Sequence, residues 1–218
     1  MTDGDGSRSL AAILGSQCVL PLVEVDDDAS AVALAQVLVA AGLPVMEIAL
    51  RTPGALAAIE AIRSSVPDAV VGAGTVMAPG QLSDALAAGT VFAVSPGSSD
   101  ALQSAASACP VPFVPGVATV TELMRVVASG AREVKFFPAE ASGGVATLSS
   151  LAAVAPSVRF MPTGGIDLDS APSYLAFGHV FAVGGSWVCP AALIRQAAWD
   201  RIAEHARAAS RLATIAQP

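Results

Sequence analysis

The hydrophobic positions gather into short β-branched or aromatic runs near residues 19–25 (VLPLVEV), 45–49 (VMEIA), 69–73 (AVVGA), 91–95 (VFAVS), 112–116 (PFVPG), 133–137 (EVKFF), 158–162 (VRFMP) and 180–184 (VFAVG). Runs of this length, bounded by turn residues, predict eight strands. They recur about every 20 to 25 residues, and the alanine-rich gaps carry helical periodicity, most clearly over 29–41, 53–65, 79–88 and 119–129. Gly42, Gly89, Gly130 and Gly178 stand where helices would stop, the place for a left-handed C-cap. A further helix is expected at about 8–15 and a long one from about 190 to 209. Eight β-α repeats predict one α/β domain over 1–218, a (β/α)8 TIM barrel with an extra N-terminal helix. A polar extension (about 1–8) and a flexible tail (about 210–218) would flank it. An open doubly wound sheet is the competing arrangement. Against it, the first strand-to-helix turn reads Asp26-Asp27-Asp28, without a glycine-rich dinucleotide fingerprint.

Composition narrows the picture. A chain of 218 residues suits one barrel, and 54% hydrophobic against 13% charged residues excludes disorder. A net charge of −7 with one Tyr and two Trp leaves no basic, aromatic-studded surface for nucleic acid or anionic lipid. The mean hydropathy of +0.64 invites a membrane reading, but alanine, about a fifth of the chain, supplies much of it. The uncharged stretch 29–46 is interrupted by Ser30, Gln36, Gly42 and Pro44, and 101–121 by Pro110, Pro112, Pro115 and Gly116. Neither is an apolar span of about 20 residues. The start, MTDGDGSRSL, lacks a basic segment followed by an apolar one, so a cytoplasmic protein is expected. Cys18, Cys109 and Cys189 match no metal or disulfide spacing and read as free thiols.

In a barrel the chemistry lies at the C-terminal ends of the strands. Those ends hold Glu47 and Arg51, Thr75, Ser95-Pro96-Gly97, Pro115-Gly116, Lys135, Thr163-Gly164-Gly165 and Gly184-Gly185-Ser186. Lys135 is the only lysine beside ten arginines. An amine can lose its proton and attack a carbonyl, which a guanidinium cannot, and burial favours the neutral amine. Retained inside an apolar strand, Lys135 points to Schiff-base chemistry; a lysine snorkelling to the rim is the alternative. Glu47, flanked by apolar residues, is costly there unless paired or used, and suits a general acid/base. A salt bridge to Arg51 competes with that reading. Arg51 offers a fork for a carboxylate. The two Gly-Gly pairs follow the seventh and eighth strands and precede helices, where freed backbone N–H groups at helix N-termini would cradle a phosphate.

The segments MEIALRT, GAGTV, SPG, PGVATVTEL, VKFFPAE, PTGGI and GGSW, in this order, closely resemble the 2-keto-3-deoxy-6-phosphogluconate (KDPG) aldolases, also called 4-hydroxy-2-oxoglutarate (KHG) aldolases, from about Leu10 to about Ala206. The resemblance implies a homotrimeric class I lyase of (β/α)8 fold, without metal or other cofactor. It would cleave KDPG to pyruvate and glyceraldehyde 3-phosphate, and KHG to pyruvate and glyoxylate. By motif, Lys135 would form the imine and Glu47 move protons. Arg51 and Thr75 would hold the pyruvate moiety, and Pro96 line the cavity. Thr163, Gly164 and Gly165 would contact the sugar chain and phosphate, with Ser186 closing the phosphate pocket.

The departure lies in the first strand, where Glu24 and Asp26 to Asp28 stand at places that relatives often give to apolar or basic residues. A carboxylate near the barrel mouth could weaken phosphate binding or simply point to solvent, and solvent is expected for Glu24. His179 and His205 receive no role. Two other readings stay open: another phosphosugar enzyme, such as an epimerase or an aldolase for the galactonate epimer, and a non-catalytic phosphate-binding barrel. The pairing of Glu47 with Lys135 speaks against the last, and Thr163 leans towards the gluconate epimer.

Overall fold

The computed structural model describes residues 9–214. The expected extension at 1–8 and the last four residues of the expected tail lie outside that range; Ser210 closes a helix and 211–214 form a 3-10 turn.

The strands are β1 (Val19–Val23), β2 (Val45–Ala49), β3 (Val70–Gly74), β4 (Ala93–Val94), β5 (Phe113–Val114), β6 (Gly116–Val117), β7 (Glu133–Phe136), β8 (Arg159–Pro162) and β9 (Val183–Gly185). Every pairing is parallel. Six form one sheet in the order β5-β4-β3-β2-β1-β9, and three form a second, β6-β7-β8. The predicted fifth strand is thus divided at Pro115, whose missing N–H cannot join a ladder. Single bridges, Phe160 to Val180 and Thr163 to Gly184, run beside β8 and β9. The result is a curled parallel sheet in two arcs that face a common interior.

Alternation along the strands sorts their side chains. Val19, Val23, Met46, Ile48, Val134 and Phe136 pack outward against the helices, whereas Leu20, Val45, Val94, Val114 and Met161 form a separate inner cluster around Phe92. Gly72 admits that ring: a Cβ there would lie 2.1 Å from Phe92 Cε2.

The helices are α1 (Leu10–Leu14), α2 (Asp28–Ala40), α3 (Ala55–Ser65), α4 (Pro79–Ala87), α5 (Asp100–Ser107), α6 (Val120–Ala128), α7 (Gly144–Val154), α8 (Ala171–Leu175), α9 (Ala191–Arg195) and α10 (Trp199–Ser210). Their starts are chemically marked. Asp27 caps α2 by accepting from the Ser30 N–H, which holds its carboxyl below the usual range, and Thr119 with Glu122 makes a capping box on α6. Gly42, Gly89 and Gly130 take the left-handed conformation expected of C-caps. Gly178 does not, because α8 ends three residues earlier. The long C-terminal helix is in fact two. Ala197 adopts φ +49, and the Ala198 N–H returns to the Leu193 carbonyl, stopping α9 as a glycine would.

Helix α1 sets Leu10 and Leu14 into the inner cluster, and the Leu10 N–H donates to Glu133 Oε2 at 2.8 Å. This carboxylate at the start of β7 satisfies a free helix N–H and complements the helix dipole.

Candidate active site

Inward alternation places Val45, Glu47 and Ala49 of β2 on one face and Lys135 of β7 on the facing one. Across that space Lys135 Nζ donates to Glu47 Oε1 at 3.1 Å, joining the two arcs. The side chains are 4% and 1% exposed, so the pair is removed from bulk water. Taking two charges out of water is compensated only by good mutual geometry, and breaking such a pair leaves an unpaired buried charge. The salt bridge anticipated as an alternative, Glu47 to Arg51, does not form. The Lys135 ammonium also stands 5.6 Å from the Phe137 ring centroid, which makes Phe137 a wall of the site that the sequence reading passed over.

Room for this pair is made by omission on β3. A Cβ on Gly74 would come within 2.1 Å of Glu47 Oε1 and 2.4 Å of its Cγ. The next residue, Thr75, holds φ +58, a left-handed conformation that costs a β-branched residue about 1–3 kcal/mol. Its Oγ1 accepts from Arg51 Nε at 3.2 Å. Thus Gly74, the last residue of β3, makes room for Glu47, and Thr75, just beyond the strand, holds Arg51.

Arg51 Nη1 is also 3.6 Å from Glu24 Oε2, both side chains being more than two-fifths exposed. Glu24 is thus open to solvent, as expected, and in addition has Arg51 as a partner at the mouth of the site. Alternation along VLPLVEV sets Leu20, Leu22 and Glu24 on the same inward face, a signal already present in the sequence. Glu24 and Arg51 line a cavity of about 450 Å³ with Leu22, Gly165, Ser186 and Trp187. Cys189 also reaches this cavity, but burial pushes its thiol up to about 12, so it stays protonated and unreactive.

Gly164 and Gly165 adopt φ +100 and +83, which requires glycine, whereas Gly184 and Gly185 lie inside β9 without a positive φ. They do not lie at helix N-termini as expected. The following helices start at Ala171 and Ala191, several residues on, so any anion cradle here is built from loop amides. Among the described residues no hydrogen bond occupies the N–H of Gly165 or Ser186. The loop rests on Glu140, missed in the sequence: its N–H donates to the Gly164 carbonyl, and a Cβ on Gly165 would lie 2.7 Å from Glu140 Cβ. Tyr174 donates to Glu140 Oε1 at 2.5 Å; burial first, then that carboxylate, raises the phenol well above its ordinary pKa. Thr163 is 2% exposed beside this loop, with its hydroxyl 3.4 Å from the Met161 carbonyl. Pro96 is not brought into the 450 Å³ cavity; it lines a smaller one of about 190 Å³ with Met77 and Leu102.

Among the described residues there is no group of three or more His, Cys, Asp or Glu that could hold a metal ion, and no helix is long and apolar enough to cross a membrane. Cys18 and Cys189 are buried free thiols, as expected, and Cys109 is partly exposed.

Residues 10–205 match the family model described as KDPG and KHG aldolase. The chain is 46% identical to the 2-dehydro-3-deoxy-phosphogluconate aldolase of Dickeya dadantii (strain 3937), over 92% of this chain and 94% of that protein. It resembles the crystal structure of KDPG aldolase from Legionella pneumophila with pyruvate captured as a covalent carbinolamine intermediate, with TM-score 0.89 and 41% identity over 92% of this chain and 97% of the other. It also resembles the Zymomonas mobilis enzyme with 3-phosphoglycerate, with TM-score 0.84 and 42% identity over 92% and 95%.

Proposed function

Because the chain belongs to the KDPG and KHG aldolase family of lyases, we propose that it cleaves KDPG to pyruvate and glyceraldehyde 3-phosphate, and KHG to pyruvate and glyoxylate, through an imine on Lys135. The observation that carries this reading is the buried Lys135 Nζ held 3.1 Å from Glu47 Oε1.

Lys135 passes its proton to Glu47 and the freed amine adds to the C2 carbonyl of the keto acid, giving a carbinolamine; Glu47 returns the proton to the departing hydroxyl, and loss of water leaves an iminium ion. Glu47 takes the C4 hydroxyl proton, the C3–C4 bond breaks, and its electrons pass into the iminium to leave an enamine while the aldehyde departs. Proton return to C3 and hydrolysis release pyruvate and the free amine. Glu47 moves protons in these steps from the place where it already meets the amine. Arg51, steadied by Thr75, grips the keto-acid carboxylate, and the Gly164-Gly165 loop with Thr163 and Ser186 takes the far end and its phosphate. Pro96 borders a different cavity and takes no part in these steps. No metal or other cofactor enters this scheme.

We read the two arcs as one closed (β/α)8 barrel with α1 as its extra helix. Support comes from the continuous passage through Val114, Pro115 and Gly116 at one seam and the Phe160–Val180 and Thr163–Gly184 bridges at the other. It is read as one catalytic domain, working in the cytoplasm as a homotrimer. The apolar Met77 and Met124, 66% and 67% exposed, are surface that subunit contacts would cover.

The deciding experiment is reductive trapping. Pyruvate with borohydride should add one three-carbon adduct per chain, on the peptide containing Lys135. Lys135→Arg should fold, take no label and lose cleavage, since a guanidinium cannot form the imine. A wild-type enzyme that takes no label, or an arginine variant that cleaves at the wild-type rate, refutes the mechanism.

A further inference from the structure

We propose that Glu24 is a specificity-determining residue, whose carboxylate discriminates against negative charge at the far end of the substrate. The proposal rests on the keto-acid aldolase reading of the site. Glu24 continues the inward face of β1 beyond Leu20 and Leu22, and its Oε2 stands 3.6 Å from Arg51 Nη1 in the 450 Å³ cavity. The rest of that cavity wall, among the described residues, is uncharged, including Leu22, Gly165, Ile166 and Ser186. Lys135 and Glu47 are paired with one another. Among the described residues, the cavity lining therefore offers a multiply charged anion no net positive charge: the Arg51 guanidinium arrives with a carboxylate attached.

Two effects follow, and they separate by substrate. Any keto acid that places its carboxylate on Arg51 must displace Glu24 or share the guanidinium with it, a cost common to all such substrates. The Glu24 charge then remains in the cavity that Gly165 and Ser186 also line, facing whatever the substrate carries at its other end. Coulomb energy scales with the product of the charges, so a phosphate dianion is repelled about twice as strongly as a single terminal carboxylate at the same distance. Both side chains are partly solvated, which limits the effect to a range that salt screens.

The test compares kcat/KM for KDPG, which ends in a phosphate, with that for KHG, which ends in a carboxylate. Wild type, Glu24→Gln and Glu24→Ala are measured at low and high ionic strength. Both variants should raise kcat/KM about tenfold for the phosphorylated substrate and about threefold for the dicarboxylate, mainly through KM. The gap should close towards 1 M salt. Equal gains on both substrates overturn the proposal and leave Glu24 a mere competitor for Arg51. Losses on both overturn it in favour of Glu24 orienting that arginine. If wild type cleaves neither substrate and takes no borohydride label, the aldolase reading itself fails, and this proposal with it.

Discussion

Gly74→Ala should disable the site without altering any residue that would touch the substrate. The added Cβ would stand 2.1 Å from Glu47 Oε1, 2.4 Å from Cγ and 2.6 Å from Cδ, against an ordinary separation of about 3.5 Å. Glu47 must therefore retreat by about 1 Å or more, and at 1% exposure it has no solvent to retreat into. A 3.1 Å hydrogen bond stretched by that amount ceases to be one. Misplacing a catalytic group by about 1 Å costs roughly 10²-fold in turnover, and overpacking costs about 1–3 kcal/mol of stability. Gly74 does not have a positive φ, so alanine brings no backbone strain of its own. The assay is pyruvate release coupled to NADH oxidation by lactate dehydrogenase, beside thermal unfolding and borohydride trapping. Gly80→Ala is the control, because a Cβ there meets nothing within 4 Å. The variant should unfold at a somewhat lower temperature, remain folded at 25 °C and turn over about a hundredfold more slowly. Turnover within threefold of wild type in a folded Gly74→Ala protein would refute the assignment of Glu47 to proton transfer from this position.

Glu47→Gln keeps shape and volume but cannot exchange a proton, so turnover should fall by about 10² to 10⁴ while trapping with pyruvate continues more slowly; near-normal turnover would make Glu47 a structural partner of Lys135. Gly165→Ala adds a Cβ 2.7 Å from Glu140 Cβ at φ +83 and so deforms the loop read as the phosphate site. It should weaken binding of phosphorylated substrate about ten- to a hundredfold and largely spare KHG, and equal losses on both would remove the phosphate assignment.

The strand pattern was readable because β-branched runs bounded by turn residues have few alternatives, and the helix starts because Asp27 and Thr119 carry their own capping chemistry. The division of one strand at Pro115 was visible as a proline, but its consequence for the ladder appears only once the neighbours are known. Ala197 shows the opposite case. A residue with no special propensity stops a helix, because tertiary contacts outweigh a cost that glycine would not incur. Lys135 and Glu47 stood out as polar residues in apolar strands. Gly74 did not, since a glycine that makes room for a carboxylate looks the same in sequence as one that makes a turn. Glu24 could be placed on the inward side of VLPLVEV by its two-residue period, but its pairing with Arg51 appears only once the end of the second strand is set beside the first.

The short helix α1, held by Glu133 at the start of the strand that carries Lys135, stoppers one end of the curled sheet with Leu10 and Leu14. On the proposed chemistry, substrate enters from the other end, where Arg51, Gly165 and Ser186 line the cavity. The fragment bonded to Lys135 sits innermost, and the fragment nearer that end stands between it and solution. Departure must then follow a queue, aldehyde first and pyruvate second. In the direction of synthesis the same geometry demands the reverse, pyruvate loaded before the aldehyde, so that an aldehyde arriving early blocks the passage rather than reacting. The covalent bond to Lys135 sets that order, and the closed end keeps the held fragment innermost while the other one leaves.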